Sequence, residues 1–354
     1  MSDRFLIVRL GAVGDVVHAL PLASAIRAAY PNAHIAWAVA PGTSPLLEEN
    51  PDINQVLIVD TKAWRLKRPL KALSDIRQCI ASLREIRADV AIDAQGLIKS
   101  GLIVLASGAE RRVGFEQRAC REGVSATMMT HHALALERPH HVIEKNLSLL
   151  TQLGVDIPAR EAIRFDLHER VEEGETAASF LGREGLSNGR PLMVIHPGAG
   201  WETKRWDVAR YAALGDSWIE MSGGGLLLTW GSEEEEATCH RVAETMHGGA
   251  TVAPRTSLRQ LAALLRRASF FAGGDSGPLH LAAALGVRCL AIIGPTDPLR
   301  NGPWGEGHEV LHYRLACSGC YGRTCPDIEC LDRIGADEAI LALRRLWNSH
   351  EKYC

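Results

Sequence analysis

Four short stretches carry residue types that do chemistry, and each follows an apolar run. In the first, "RFLIV" leads into "RLGAVGD", which ends in Asp15. Glycine-rich turns after a strand often cradle phosphate. Here no Lys-Ser/Thr follows the last glycine, and the pattern is not G-x-G-x-x-G. Taken alone, Asp15 has two readings, a helix N-cap or a carboxylate set for proton transfer. In "HPGAGWETKRW" (196–206), Gly198, Ala199 and Gly200 let backbone approach a ligand closely. Lys204 is then either a point charge suited to phosphate or a surface lysine. In "GGDSGPLHLAAALG" (273–286), Pro278 and Gly286 delimit a helix. Its start at Ser276-Gly277 offers free N–H groups and a positive dipole, an anion site. Asp275 before it reads as a cap. "TWGSEEEEATC" (229–239) puts glutamates at a helix start. They offset the dipole there, or one of them grips ribose hydroxyls.

Cysteine supplies a further constellation. Cys317, Cys320, Cys325 and Cys330 give C-x2-C-x4-C-x4-C within 14 residues. Four thiolates match tetrahedral zinc or an iron site, and such a site would be structural because no coordination position stays open. Reduced surface cysteines and disulfides formed on purification are the alternatives.

These residues need elements to hold them. Apolar strands are expected at 4–10, 35–40, 55–60 and 90–94, with helices over 15–30 and 72–87. Residues 155–190 are charged and polar, and a junction is expected near 160–190. A second series follows, with strands at 192–197, 225–230, 270–273 and 289–293 and helices near 206–221, 233–246, 257–267 and 277–285. A last helix is expected at 336–348. Buried strands alternating with helices indicate parallel sheets covered on both faces. Two doubly wound α/β lobes result, and ligands in such sheets bind outside the C-terminal strand ends.

Charge narrows the function. With 354 residues, 46% hydrophobic and net charge −3, the chain can build two cores and lacks the basic excess of a nucleic-acid binder. The charge is uneven, however. "KAWRLKRPLKALSDIR" (62–77) holds six Lys/Arg and "RRVGFEQRACR" (111–121) four Arg. These stretches are either solvated faces or a landing site for an anionic acceptor. No apolar run reaches the roughly 18 residues that span a bilayer. The start "MSDRFLIV" has no signal-peptide layout. A cytoplasmic protein is expected, peripheral at most on the inner face of the inner membrane.

"GAVGDVVHALP", "DAQGLIKS" (93–100), "HPGAGWETKRW", "GGDSGPLHLAAALG" and "GPTDP" (294–298) occur in this order. Together they resemble the ADP-heptose:lipopolysaccharide heptosyltransferases of glycosyltransferase family nine, closest to the type that adds the first heptose to Kdo2-lipid A. The resemblance implies a GT-B fold, two facing Rossmann-like domains with a cleft between them. Residues 1–165 would bind the acceptor and 166–335 the nucleotide sugar, with the Cys-rich loop at 317–330; helix and tail 336–354 would close the chain. It implies Asp15 as the base of an inverting reaction that needs no metal or other cofactor. It implies donor contacts from Lys204 (phosphate), Glu235 (ribose, within one residue), Asp275, Ser276 and Gly277 (diphosphate) with His280 on their helix, and Thr256 and Leu258 (adenine pocket). Arg65, Arg68, Arg118, Arg121 and His141 fall near the acceptor contacts. The implied partners are ADP-heptose and an anionic glycolipid at the inner membrane surface, and no nucleic acid. Two departures stand out: "RLGAV" lacks the hydroxyl-bearing turn, and the Cys segment occurs in only part of the family. The rival readings are a heptosyltransferase for a later core heptose or a protein, a nucleotide-sugar epimerase, and a metal-binding scaffold.

Overall fold

The computed structural model describes residues 3–66, 68–187 and 189–351. The chain divides at His168–Glu169 into two units, each built on a six-stranded sheet. The expected boundary at 165/166 lies three residues earlier.

The first unit contains β1 (Arg4–Val8), β2 (His34–Val39), β3 (Gln55–Ile58), β4 (Val90–Asp93), β5 (Arg111–Phe115) and β6 (His131–Ala133). They lie in the order β3-β2-β1-β4-β5-β6, all parallel. The second contains β7 (Leu192–His196), β8 (Gly225–Leu228), β9 (Thr251–Val252), β10 (Phe270–Gly274), β11 (Arg288–Ile293) and β12 (Glu309–His312). Their order, β12-β11-β10-β7-β8-β9, is the same pattern, again all parallel. The central strands are buried along nearly their whole length, as "FLIV" in β1, "IAWAV" in β2 and "LMVIH" in β7. Helices cover both faces of such sheets, so their strands do not alternate in polarity.

Four strands escape the sequence expectations: β5, β6, β9 and β12. β9 has two residues, β6 reads "HHA", β12 "EVLH", and β5 opens on Arg-Arg. Three of them are edge strands, which need less apolar sequence. β5 places the first half of the basic stretch 111–121 in the sheet. Arg112 Nε donates to Met128 O at 2.8 Å and the Arg111 guanidinium donates to Gln152 O, so both are tied to neighbouring backbone. The helix expected over 15–30 is two helices, Val13–Val17 and Leu20–Ala29. Pro21 lacks the N–H a continuous helix needs, and it sits in the first turn of the second. The expected junction contains the helix Val171–Arg183, whose Gly174, Ala177 and Leu181 are buried.

The helix Ala336–Glu351 is part of the second unit's core. Ala339, Ala342, Leu343 and Leu346 form a buried stripe at helical spacing, and Trp347 packs edge-on against Trp218 at 5.5 Å. The tail after 351 lies outside the described residues.

Close approach of β10 to β7 requires glycine. A Cβ on Gly273 would stand 2.8 Å from the backbone oxygen of His196. Gly273→Ala should lower the denaturant midpoint by the equivalent of about 1–3 kcal/mol at unchanged m-value, the usual cost of overpacking.

Candidate functional site

In each unit the chain starts in mid-sheet, winds outward one way, then returns to wind the other. The strands on either side of that reversal are β1 and β4 in the first unit and β7 and β10 in the second. Because all strands are parallel, every loop after a strand leaves at one edge. Side chains from two distant segments meet there.

In the first unit Arg9 lies in the loop after β1 and Asp15 in the helix that follows it. Arg9 is 7% exposed. Its Nη2 donates to Asp15 Oδ1 at 2.7 Å, and its Nη1 to Ala94 O beyond β4. Leu10 N donates to Gln95 Oε1 at 3.0 Å, a second tie across the reversal. Asp15 sits in the first turn of its helix with a side chain 44% exposed, and the N-cap position is Ala12. The capping reading of Asp15 therefore falls. Gly11 makes room for it: a Cβ there would stand 2.3 Å from Asp15 Oδ2. Asp93, at the end of β4, is buried and accepts from the amides of Gln95 (2.9 Å) and Gly96 (3.0 Å). Burial pushes its pKa up, against the pull of those amides.

The residues expected at an acceptor are spread along this edge. Arg65 is exposed on the helix Thr61–Leu66, and Arg68 is the exposed N-cap residue of Pro69–Glu85. Lys67 between them lies outside the described residues. Arg118 pairs with Glu116 at 2.6 Å, and Arg121 is exposed. His141 is buried as an N-cap: its Nδ1 accepts from Ile143 N at 3.2 Å. Its ring meets that of His18, on the Asp15 helix's C-cap, edge-on at 5.3 Å.

In the second unit the reversal joins three expected donor residues. Lys204 Nζ lies 2.7 Å from Asp275 Oδ2, and His280 Nε2 lies 2.9 Å from Asp275 Oδ1. Burial alone would push the Asp275 carboxyl up. The hydrogen bond and charge of His280, with the charge of Lys204, outweigh it and hold the carboxyl well below the usual range. So Asp275 is the buried centre of an ion pair, and the N-cap position before Gly277–Ala284 belongs to Ser276. The Ser276 hydroxyl makes no capping bond. It is buried without a hydrogen-bond partner among the described residues, as is the hydroxyl of Thr296 after β11.

Glu235 is the member of its run of four that turns inward. Its Oε2 accepts from Gly231 N at 2.8 Å and stands 3.9 Å from His196 Nε2. Glu234 instead pairs with Arg205. A Cβ on Gly198 would stand 2.4 Å from the Glu235 carboxyl carbon, so a side chain there would push the carboxylate out of this position. Burial pushes His196 down, toward neutral imidazole. Thr256 and Leu258 flank Ser257, whose hydroxyl caps Leu258–Leu265, on the same edge beyond β9.

A family model described as glycosyltransferase family 9 (heptosyltransferase) matches residues 76–330. The chain belongs to this family. It is 31% identical over 327 residues to lipopolysaccharide heptosyltransferase 1 of Pseudomonas aeruginosa, covering 91% of this chain and 87% of that one. A family 9 glycosyltransferase structure from Veillonella parvula superposes with TM-score 0.84 over 98% of each chain at 22% identity. The Escherichia coli heptosyltransferase WaaC with ADP gives 0.77 over 97% of this chain and 99% of that one, at 24% identity. The fold class is thus the expected α/β GT-B type.

In this glycosyltransferase the clustered cysteines are reduced. Cys317, Cys320 and Cys325 are exposed and Cys330 half-buried, all as free thiols. Burial and the neighbouring Cys317 and Cys320 push the Cys330 thiol up, while Cys325 Sγ donates to Asp327 O at 2.9 Å. Among the described residues no three of His, Cys, Asp and Glu are gathered tightly enough to hold a metal ion. As placed, the four thiols do not make a ligand set.

Sequence reasoning passed over Arg9, Asp93, Ser276's missing capping bond and Thr296. The signal for Arg9 was a charged residue at the end of an otherwise apolar strand. Asp275→Asn should cost about 3 kcal/mol at neutral pH by leaving Lys204 and His280 without their carboxylate. The depressed carboxyl stabilises fully above its unfolded value near 4, and that contribution is lost as pH falls toward the folded value. The stability gap between wild type and variant, followed by denaturant unfolding, should therefore narrow below about pH 4.

Proposed function

We propose that this glycosyltransferase moves heptose from ADP-heptose to a Kdo hydroxyl of Kdo2-lipid A, with inversion, in lipopolysaccharide inner-core synthesis. The division of chemistry between the units carries this reading. The first offers a half-exposed carboxylate, Asp15, steadied by a buried arginine. The second offers a lysine, a helix start and two buried hydroxyls without partners. Buried hydroxyls of that kind cost about 1–3 kcal/mol each, a cost that a bound diphosphate accepting from them would offset. Glu235 suits ribose hydroxyls, and Thr256 and Leu258 suit the adenine.

Asp15 takes the proton from the attacking Kdo hydroxyl. That oxygen bonds to the anomeric carbon as the bond from that carbon to the diphosphate oxygen breaks, and ADP leaves with the electron pair. Lys204, Ser276 and the helix N-terminus meet the charge that grows on ADP, preorganised donors of the kind that often dominate catalysis. No step is assigned to a metal. Arg65, Arg68, Arg118 and Arg121 suit the acceptor's carboxylates and phosphates.

The same helices suit a membrane surface. Leu66 is 89% and Leu70 84% exposed, beside exposed Arg65, Arg68 and Lys71. Apolar and cationic side chains together favour an anionic lipid interface, so contact with the inner face of the inner membrane is proposed as peripheral. Among the described residues no helix is long and apolar enough to cross a membrane.

The decisive assay combines purified protein, ADP-heptose and heptose-less Kdo2-lipid A, with product read by mass. One added heptose is expected, and Asp15→Asn should lower kcat by about 10²–10⁴ while ADP still binds. Transfer only to an already heptosylated acceptor would overturn the acceptor assignment. An unchanged kcat would remove Asp15 from catalysis.

Zinc or iron at Cys317, Cys320, Cys325 and Cys330 is proposed as a structural clip. Cys317 and Cys320 neighbour Cys330 closely enough to raise its thiol's pKa, and Cys325 would have to turn from Asp327 to join them. Elemental analysis of protein purified without chelator should find about one metal per chain, lost in Cys317→Ser/Cys320→Ser with a lower Tm. Metal-free wild type of full stability would sink the clip.

A further inference from the structure

We infer that the cysteine-rich loop is itself part of the donor site, with Arg323 as a second cation for the diphosphate. This rests on the reading of Lys204 and Ser276 as the donor's phosphate site.

The first argument is charge. Lys204 is committed to Asp275 at 2.7 Å, and Glu235 brings another carboxylate to the same edge. A nucleoside diphosphate sugar adds two negative charges near neutral pH. One lysine already paired with a buried aspartate does not balance them.

The second argument is place. Lys204 Nζ lies 4.2 Å from the centroid of the Trp201 ring, and the Arg323 guanidinium lies 5.0 Å from the same centroid. Two cations thus share one aromatic ring beside the phosphate site. Among the described residues Arg323 makes no ion pair or hydrogen bond, and it is exposed. A guanidinium held only by a ring keeps its N–H fork for a phosphate, and the ring restricts its orientation.

The third argument is attachment. Thr203 Oγ1, next to Lys204, donates to Gly322 O at 2.7 Å, next to Arg323. Tyr321 N donates to Pro295 O at 3.0 Å, in the loop after β11, and Tyr321 Oη to Asn301 Oδ1 at 3.0 Å. Tyr321 also has φ of 54°, left-handed backbone that a side-chain-bearing residue holds only when its surroundings insist. The loop is therefore pinned, at the two residues just before Arg323, to the loops that carry Lys204 and Thr296.

The test is calorimetric titration of ADP and of adenosine into the full chain. Arg323→Gln should raise the Kd for ADP about ten- to a hundredfold, the worth of a charge-assisted phosphate contact, and leave that for adenosine unchanged. Arg323→Lys should recover part of the loss, and Arg314→Gln, on exposed chain before the loop, should have no effect. Equal ADP affinity in Arg323→Gln and wild type would overturn the inference alone. Equal weakening of ADP and adenosine would also overturn it, by showing loop distortion instead of phosphate contact. Absence of ADP binding in wild type would overturn the donor reading, and this inference with it.

Discussion

Parallel strands cannot be joined by a tight turn, and this constraint governs where chemistry appears in the protein. Each sheet starts in its middle and reverses once, so the loops after its first and fourth strands are neighbours although some 80 residues separate them. At one reversal Arg9 reaches Ala94 and steadies Asp15. At the other Lys204 meets Asp275. The same topology, used twice, yields a carboxylate in one unit and a cation site in the other.

Small residues let those loops close. Gly11 admits the Asp15 carboxylate, Gly198 admits Glu235, and Gly273 lets β10 lie against β7. None of these glycines needs a left-handed backbone. At each, another group occupies the space where a Cβ would stand, so a methyl there would displace the Asp15 or Glu235 carboxylate or force the strands apart.

Electrostatics divides the units' labour further. The first keeps one carboxylate accessible beside a buried arginine and sequesters another, Asp93, whose pKa burial raises. In the second, Asp275 holds Lys204 and His280 in fixed positions, and its charge offsets part of the lysine's attraction for an anion. Orientation is gained there and charge is lost. In the donor site proposed above, a helix start, unpartnered hydroxyls and a nearby arginine would be the means of recovering affinity for phosphate.

The sequence by itself determined the class of fold, because near-continuous apolar runs such as "FLIV", "IAWAV" and "LMVIH" are short, end in turn residues and alternate with helices, the pattern of strands buried on both faces. It also determined the punctuation of the reactive loops, since "RLGAVGD", "HPGAG" and "GGDSGP" combine small residues with a charge just after a strand. The weak edge strands were not legible, because "HHA" and "TV" owe their conformation to a neighbour and not to their own propensity. Nor could local sequence choose Glu235 within "EEEE"; the space over Gly198 and the Gly231 amide decided it. The pairing of Lys204 with Asp275, of Arg9 with Asp15, and of Arg323 with Trp201 came only from the tertiary structure. Those contacts join segments set side by side by strand order and loop docking, or depend on side-chain directions that spacing along the chain does not record.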